Sequence, residues 1–278
     1  MKTIILALSL VLICGSAHAQ GFKIADTTVS QGGTAVAIID PQWQGPQVCI
    51  SAFNKHYVPD YNGYVFIGVT VDAEITGTKK QPGKYIATLV ECGRGVRLSW
   101  GYQEIEVLKN NYEKTRTAGR RGRSTRPRKG PEVVAIGNAF SAANNSISDL
   151  TDGLPFKDPI TYPIENLSPR ELSDPYGLIY RNNNNRIHNG VDLRLPIGTP
   201  IEATNKGIVV LVANNYSKEG NMLILNHGRS IYSVYMHLSR INVATGQTVE
   251  RGQVIALSGA TGAGVREPHL HFNIKING

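Results

Sequence analysis

Pro268-His269-Leu270-His271-Phe272-Asn273-Ile274 is an apolar, β-prone run that carries two histidines two residues apart. Side chains alternate between faces along an extended chain, so this spacing puts both imidazoles on one side. Upstream, Arg186-Ile187-His188-Asn189-Gly190-Val191-Asp192-Leu193 holds a histidine and a carboxylate four apart. Gly190, Val191 and the following Pro196 oppose helix there, and on a strand the even spacing aligns the pair. A further histidine, His237, interrupts Ile231-Tyr232-Ser233-Val234-Tyr235-Met236-His237-Leu238, a β-branched and aromatic run that otherwise reads as buried sheet. Taken singly, each histidine reads as an ordinary core or surface residue. Three strand-borne clusters together point to one metal site. A catalytic zinc takes three imidazole or carboxylate ligands and leaves its fourth position to water. Four histidines and an aspartate exceed that by two groups, and two spare imidazoles suit proton transfer and oxyanion stabilisation beside such a water.

The same residues resemble the lysostaphin-type (LytM-type) zinc metallopeptidases, which cut peptide cross-bridges in bacterial cell walls. The resemblance extends from about Pro159 to Ile274. It passes through His188-Asn189-Gly190-Val191-Asp192, Gly198-Thr199-Pro200-Ile201-Glu202-Ala203, Asn226-His227-Gly228, Tyr235-Met236-His237-Leu238-Ser239, Gly259-Ala260-Thr261-Gly262 and His269-Leu270-His271. It implies that His188, Asp192 and His271 are the ligands of one Zn2+, and that His237 and His269 are the catalytic histidines beside its water. It also implies a two-sheet fold of duplicated hybrid motif type, with the metal on the floor of a narrow groove. Asn182 to Asn185, Asn214 to Gly220 and Ala263 to Glu267 are expected as groove walls. His227 is expected at a hairpin corner and not among the ligands. Tyr180 is the nearest candidate for an additional oxyanion donor. The activity implied is that of a zinc metalloendopeptidase, a peptidoglycan hydrolase acting on stem-peptide cross-links. The alternative is a non-enzymatic wall-binding regulator that activates amidases; five filled positions favour the enzyme.

The rest of the chain follows in order. Residues 1–19 read as a signal peptide: Lys2, an apolar run from Ile4 to Ile13, then Ala17-His18-Ala19, which has the small-x-small form of a cleavage site. The apolar run is too short to span a membrane. An exported protein is expected, periplasmic or alternatively secreted, with no transmembrane segment in the mature chain. Export leaves Cys49 and Cys92 as an even pair in an oxidising compartment, and a disulfide between them is expected.

Residues 20–110 show short alternating runs broken by Gly32-Gly33 and Pro82-Gly83, which reads as a small antiparallel β-sandwich. Ser30-Gln31-Gly32, Ile67-Gly68-Val69 and Pro82-Gly83-Lys84-Tyr85 resemble the immunoglobulin-like module that precedes some of these peptidases. His56, near Pro59, reads as a surface loop histidine.

Residues 111–130 read as a basic, disordered linker. From 112 to 130 eight basic groups face only Glu113, giving +7 of the chain's net +8. Such a tether would attract anionic envelope polymers in a salt-dependent way. Specific nucleic-acid binding is not expected, because no aromatic residues are interleaved for stacking. Residues 131–152 place Val133, Ile136, Phe140, Ala143, Ile147 and Leu150 at helical spacing behind Pro131-Glu132, one amphipathic helix. Residues 153–278 complete a mainly β chain as an all-β zinc peptidase domain.

Overall fold

Short alternating runs make the chain mainly β, with one α-helix among the described residues. The computed structural model describes residues 21–45, 47–59, 63–69, 74–75, 78–79, 82–109, 115–117, 130–145, 160–181, 186–228 and 231–276. The expected signal peptide, most of the expected linker, the expected end of the helix from residue 146, and Asn182 to Asn185 lie outside the described residues.

Two sheets enclose the core of the N-terminal part, and among the described residues a two-stranded one, Glu74–Ile75 with Thr78–Lys79, adjoins them in sequence. Of the enclosing sheets, one is three-stranded, in the order Phe22–Ile24, Thr34–Ile39, Tyr64–Gly68. The other is five-stranded, in the order Thr28–Ser30, Arg97–Leu108, Gly83–Glu91, Val48–Ala52, Lys55–Tyr57. Ala37, Ile39, Val65 and Ile67 of the first and Ile50, Leu89 and Ile105 of the second share one core. The expectation of a wholly antiparallel arrangement does not hold. Thr28–Ser30 pairs parallel with Glu106, Val107 and Leu108. Ala25-Asp26-Thr27 carries the chain from the first sheet across to the second. His56 is also not in a loop: it lies in strand Lys55–Tyr57, opposite Ser51.

Cys49 and Cys92 are bridged, with Cα atoms 5.2 Å apart and a sequence separation of 43. Closing a loop of that length removes unfolded-state entropy worth about 4 kcal/mol in the chain-entropy account. Both tryptophans, Trp43 and Trp100, lie in this part of the chain, so their fluorescence reports its unfolding alone. Replacing both cysteines by serine is expected to lower the unfolding free energy by about that amount in a urea titration. An unchanged midpoint would contradict the bridge's role.

Helix Gly130–Asn145 presents Ile136, Ala139 and Phe140 to the C-terminal part, where they pack on Met222, Ile224, Tyr232 and Val234. The expected stripe is wrong at its first member: Val133 is 50% exposed and Glu132 is buried in its place. The carboxylate is satisfied there by Ser217, so burying it carries no unpaired-group penalty. Within the stretch read as a disordered linker, Thr115–Thr117 is instead a strand, parallel to Ile179–Arg181. Its β-branched threonines suit that state.

The C-terminal part is built on a seven-stranded sheet. Its order is Leu172–Asp174, Val191–Leu193, Leu270–Ile276, Ile231–Leu238, Gly220–Asn226, Gly207–Tyr216, Thr248–Val249. A three-stranded sheet, Pro200–Glu202, Val254–Leu257, Arg240–Ile241, covers one face. Leu223, Leu225, Tyr235, Leu270 and Phe272 meet Ile201, Ile255 and Ala256 between them. The opposite face carries the helix. Directly paired residues share a face, so Asp192, His271 and Met236, which pair in that sequence across three strands, stand on the helix side.

Candidate metal centre

Register brings two of the groups together: Asp192 pairs directly with His271. His188, expected on one strand with Asp192, lies instead between strands Arg186–Ile187 and Val191–Leu193 of different sheets, and reaches the same point. His188 Nε2 is 3.1 Å from Asp192 Oδ1 and 3.0 Å from His271 Nδ1, while His271 Nδ1 is 2.8 Å from Asp192 Oδ1. One ligand atom from each lies within 4.8 Å of the others, a grouping that could hold a metal ion. Gly190 makes the room: a Cβ there would stand 2.6 Å from the Phe272 carbonyl oxygen and 2.7 Å from His271 Nε2.

The protonation pattern is set by backbone carbonyls, which only accept. His188 Nδ1 lies 3.0 Å from the Pro175 carbonyl oxygen and donates to it, leaving Nε2 as the lone-pair nitrogen of the neutral ring. Two imidazole nitrogens and a carboxylate oxygen therefore converge, a donor set that suits a borderline divalent cation. Burial would push the Asp192 carboxyl up, but the hydrogen bonds and charges of His188 and His271 outweigh it and hold the group well below the usual carboxylate range. Burial likewise opposes charge on His188, yet the Asp192 hydrogen bond and charge raise its pKa. For His271 burial wins and the pKa is lowered.

His237 and His269 stand beside this group. Their rings are 4.8 Å apart, and that of His237 is 6.1 Å from His271. Strict alternation would put His237 with Tyr235 on the covered core face. A bulge prevents this. Tyr235 pairs with Leu223 and Leu238 with Asn221, so Met236 and His237 together oppose Met222 alone. His237 takes φ +66, a left-handed conformation; for a residue with a Cβ this costs on the order of 1–3 kcal/mol and persists only where surroundings enforce it. The His237 N–H donates to the Glu219 carbonyl at 3.0 Å, and Gly259 admits the His237 carbonyl so closely that a Cβ would stand 2.7 Å from its oxygen. The ring donates Nδ1–H to the Thr261 carbonyl at 2.9 Å, and His269 donates Nδ1–H to the Glu267 carbonyl at 2.7 Å. Both rings thus keep Nε2 for chemistry, and His269 Nε2 lies 3.9 Å from Asp192 Oδ1. Burial first, then the charges of His269 and His271, push His237 down to about 4, so the ring is neutral near neutral pH.

All five residues singled out from the sequence are therefore brought together. Tyr180 does not extend them: its hydroxyl donates to Asp174 Oδ2 at 2.8 Å, and its ring meets that of His188 edge-on at 5.8 Å. Glu267, at the end of one expected groove wall, forms an exposed ion pair with Arg194 at 3.1 Å. Sequence reasoning missed the carbonyls of Pro175, Thr261 and Glu267, since any residue type supplies that group.

His227 is buried on the other side of the sheet, between the Lys206 carbonyl at 2.8 Å and Ser233 Oγ at 2.7 Å. Burial lowers its pKa below 6.5, the Lys206 carbonyl only partly opposing. The unfolded chain then binds a proton that the native state refuses. His227 leaves stability flat above about pH 6.5 and erodes it below, by up to about 1.4 kcal/mol per pH unit down to the native pKa. Denaturant titrations at pH 7.5 and 5.5 are expected to show a shallower loss for His227→Gln than for the parent. Equal losses would contradict this assignment.

Residues 186–278 match Peptidase family M23. The chain carries an M23 peptidase domain. Its relatives include the peptidoglycan DD-endopeptidase ShyA of Vibrio cholerae, 45% identical over 91 residues, which are 33% of this chain and 21% of that protein. Lysostaphin of Staphylococcus staphylolyticus is 40% identical over 95 residues, 34% of this chain and 20% of that protein. The match spans about a fifth of the length of these curated relatives. A crystal structure described as a peptidase M23 from Pseudomonas aeruginosa resembles the chain over 89% of both molecules, with a TM-score of 0.56 and 24% identity. That likeness bears on the fold, and it extends the correspondence beyond the M23 domain to the N-terminal part.

Proposed function

We propose that the protein is an exported, zinc-dependent metalloendopeptidase that hydrolyses peptide cross-links of bacterial peptidoglycan. The observation that carries this reading is the convergence of His188 Nε2, Asp192 Oδ1 and His271 Nδ1, with two further imidazoles alongside. In it these three atoms hold the zinc. Zinc bound there supplies a Lewis acid that polarises a peptide carbonyl and brings a water's pKa towards about 7.

The chain's own groups do the rest. Neutral His237, with Nδ1–H committed to Thr261, accepts a proton at Nε2 and returns it to the departing amine nitrogen. His269, held by the Glu267 carbonyl, orients Nε2 towards the charge that develops on the carbonyl oxygen. Asp192, kept anionic by its two imidazole neighbours, offsets positive charge at the centre. The DD-endopeptidase and lysostaphin relatives support a wall cross-link as substrate.

The metal half is tested by native mass spectrometry of the purified chain. One zinc per chain, removed by chelation and restored by added zinc, is expected. A chain that takes up no zinc would leave a non-enzymatic, amidase-activating role as the better reading.

A further inference from the structure

We propose that Glu132, on the helix and outside the family-matched residues, is a positioning residue for His237. This rests on His237 acting as proposed above.

The helix-borne carboxylate is buried and bonds Ser217 twice: Oε1 accepts the backbone N–H at 3.0 Å, and Oε2 accepts the hydroxyl. Ser217 opens the turn between strands Gly207–Tyr216 and Gly220–Asn226. That turn holds His237 from two directions. The Glu219 carbonyl accepts the His237 N–H, fixing the left-handed backbone, and the Ser217 carbonyl accepts the Ala263 N–H at 3.0 Å. Ala263 belongs to the loop whose Thr261 carbonyl sets the His237 tautomer.

Turn and loop are also interlocked without slack. A Cβ on Gly262 would lie 2.5 Å from the Lys218 carbonyl oxygen, and one on Gly220 would lie 2.4 Å from the Thr261 carbonyl carbon. Asn221 N–H donates to Thr261 Oγ1 at 2.9 Å. A displaced Ser217 therefore moves both the backbone donor site and the ring acceptor of His237. None of these bonds involves His188, Asp192 or His271. A residue outside the M23 domain thus acts on proton transfer and leaves metal binding alone.

The test compares Glu132→Ala, Glu132→Gln and Ser217→Ala in the full chain. Long-range 1H–15N spectra of the imidazoles read the His237 tautomer, zinc content is measured, and rates are taken against increasing amounts of isolated sacculi. Glu132→Ala is expected to convert a single Nδ1–H form of His237 into a mixture. It should lower kcat at least tenfold with KM within about twofold and zinc unchanged. Glu132→Gln, which retains an acceptor for the Ser217 N–H, is expected to restore most of both readouts. An unchanged tautomer in Glu132→Ala, or a glutamine variant no better than alanine, overturns the proposal. Should Glu132→Ala fail to fold, Ser217→Ala, which deletes only the hydroxyl bond, is held to the same criteria. Absent activity in the parent would instead count against the peptidase reading, while the tautomer still decides the role of Glu132.

Discussion

His271→Ala and Asp192→Ala are expected to purify without zinc and without activity. Each removes one of three donor atoms that lie about 3 Å apart, and two remaining donors do not complete a tetrahedral site. The loss should exceed the roughly 10–100-fold weakening that follows removal of an outer partner of a ligand. Asp192→Ala has a second consequence. Its carboxylate is the hydrogen-bond partner and counter-charge of two buried imidazoles, so stability should fall as well. Zinc measured after dialysis decides the matter, and one retained zinc per chain in either variant would overturn the ligand assignment.

His237→Ala and His269→Ala are expected to keep zinc while losing about 10²–10⁴-fold in rate, the range of a positioned proton-transfer group. A glycine at 237 separates function from fold further. Glycine adopts φ +66 at no steric cost, so His237→Gly should be as stable as the parent or more so, and as inactive as alanine. Catalytic need against backbone strain is then the reason histidine stands at this position. A zinc-free His237 variant, or one with parental rates, would contradict the division between holding the metal and moving the proton.

The His-x-His pair was legible because a strand's period of two turns spacing directly into sidedness and sets both imidazoles on one face. The same reasoning misplaced His188, which lies between strands Arg186–Ile187 and Val191–Leu193 of different sheets and not on one strand with Asp192. That His188 and His271, 83 residues apart, meet was legible only through the family resemblance, since contact between distant segments leaves no local trace. His237 is the instructive exception. Alternation counted from Tyr235 sends it into the core, and the bulge that reverses it gives no warning because the left-handed position is filled by histidine and not glycine. The carbonyls that set three tautomers were illegible for a simpler reason, being common to every residue. Glu132 shows the limit of binary patterning. A buried carboxylate on a helix reads as solvent face until its partner, 85 residues away, is seen. Val133 was assigned inward in its stead. The parallel strand Thr28–Ser30 was missed likewise, because alternation fixes facing and not the direction of pairing.

The proposed function requires that this arrangement cleave a peptide bond in a wall cross-link. Incubating isolated sacculi with the zinc-loaded protein and identifying the soluble products by mass spectrometry tests it most directly. New amino termini at cross-links, abolished by chelation, restored by zinc and absent with His271→Ala, are predicted. Intact cross-links after exhaustive digestion, or release of glycan fragments with every peptide bond preserved, would contradict it.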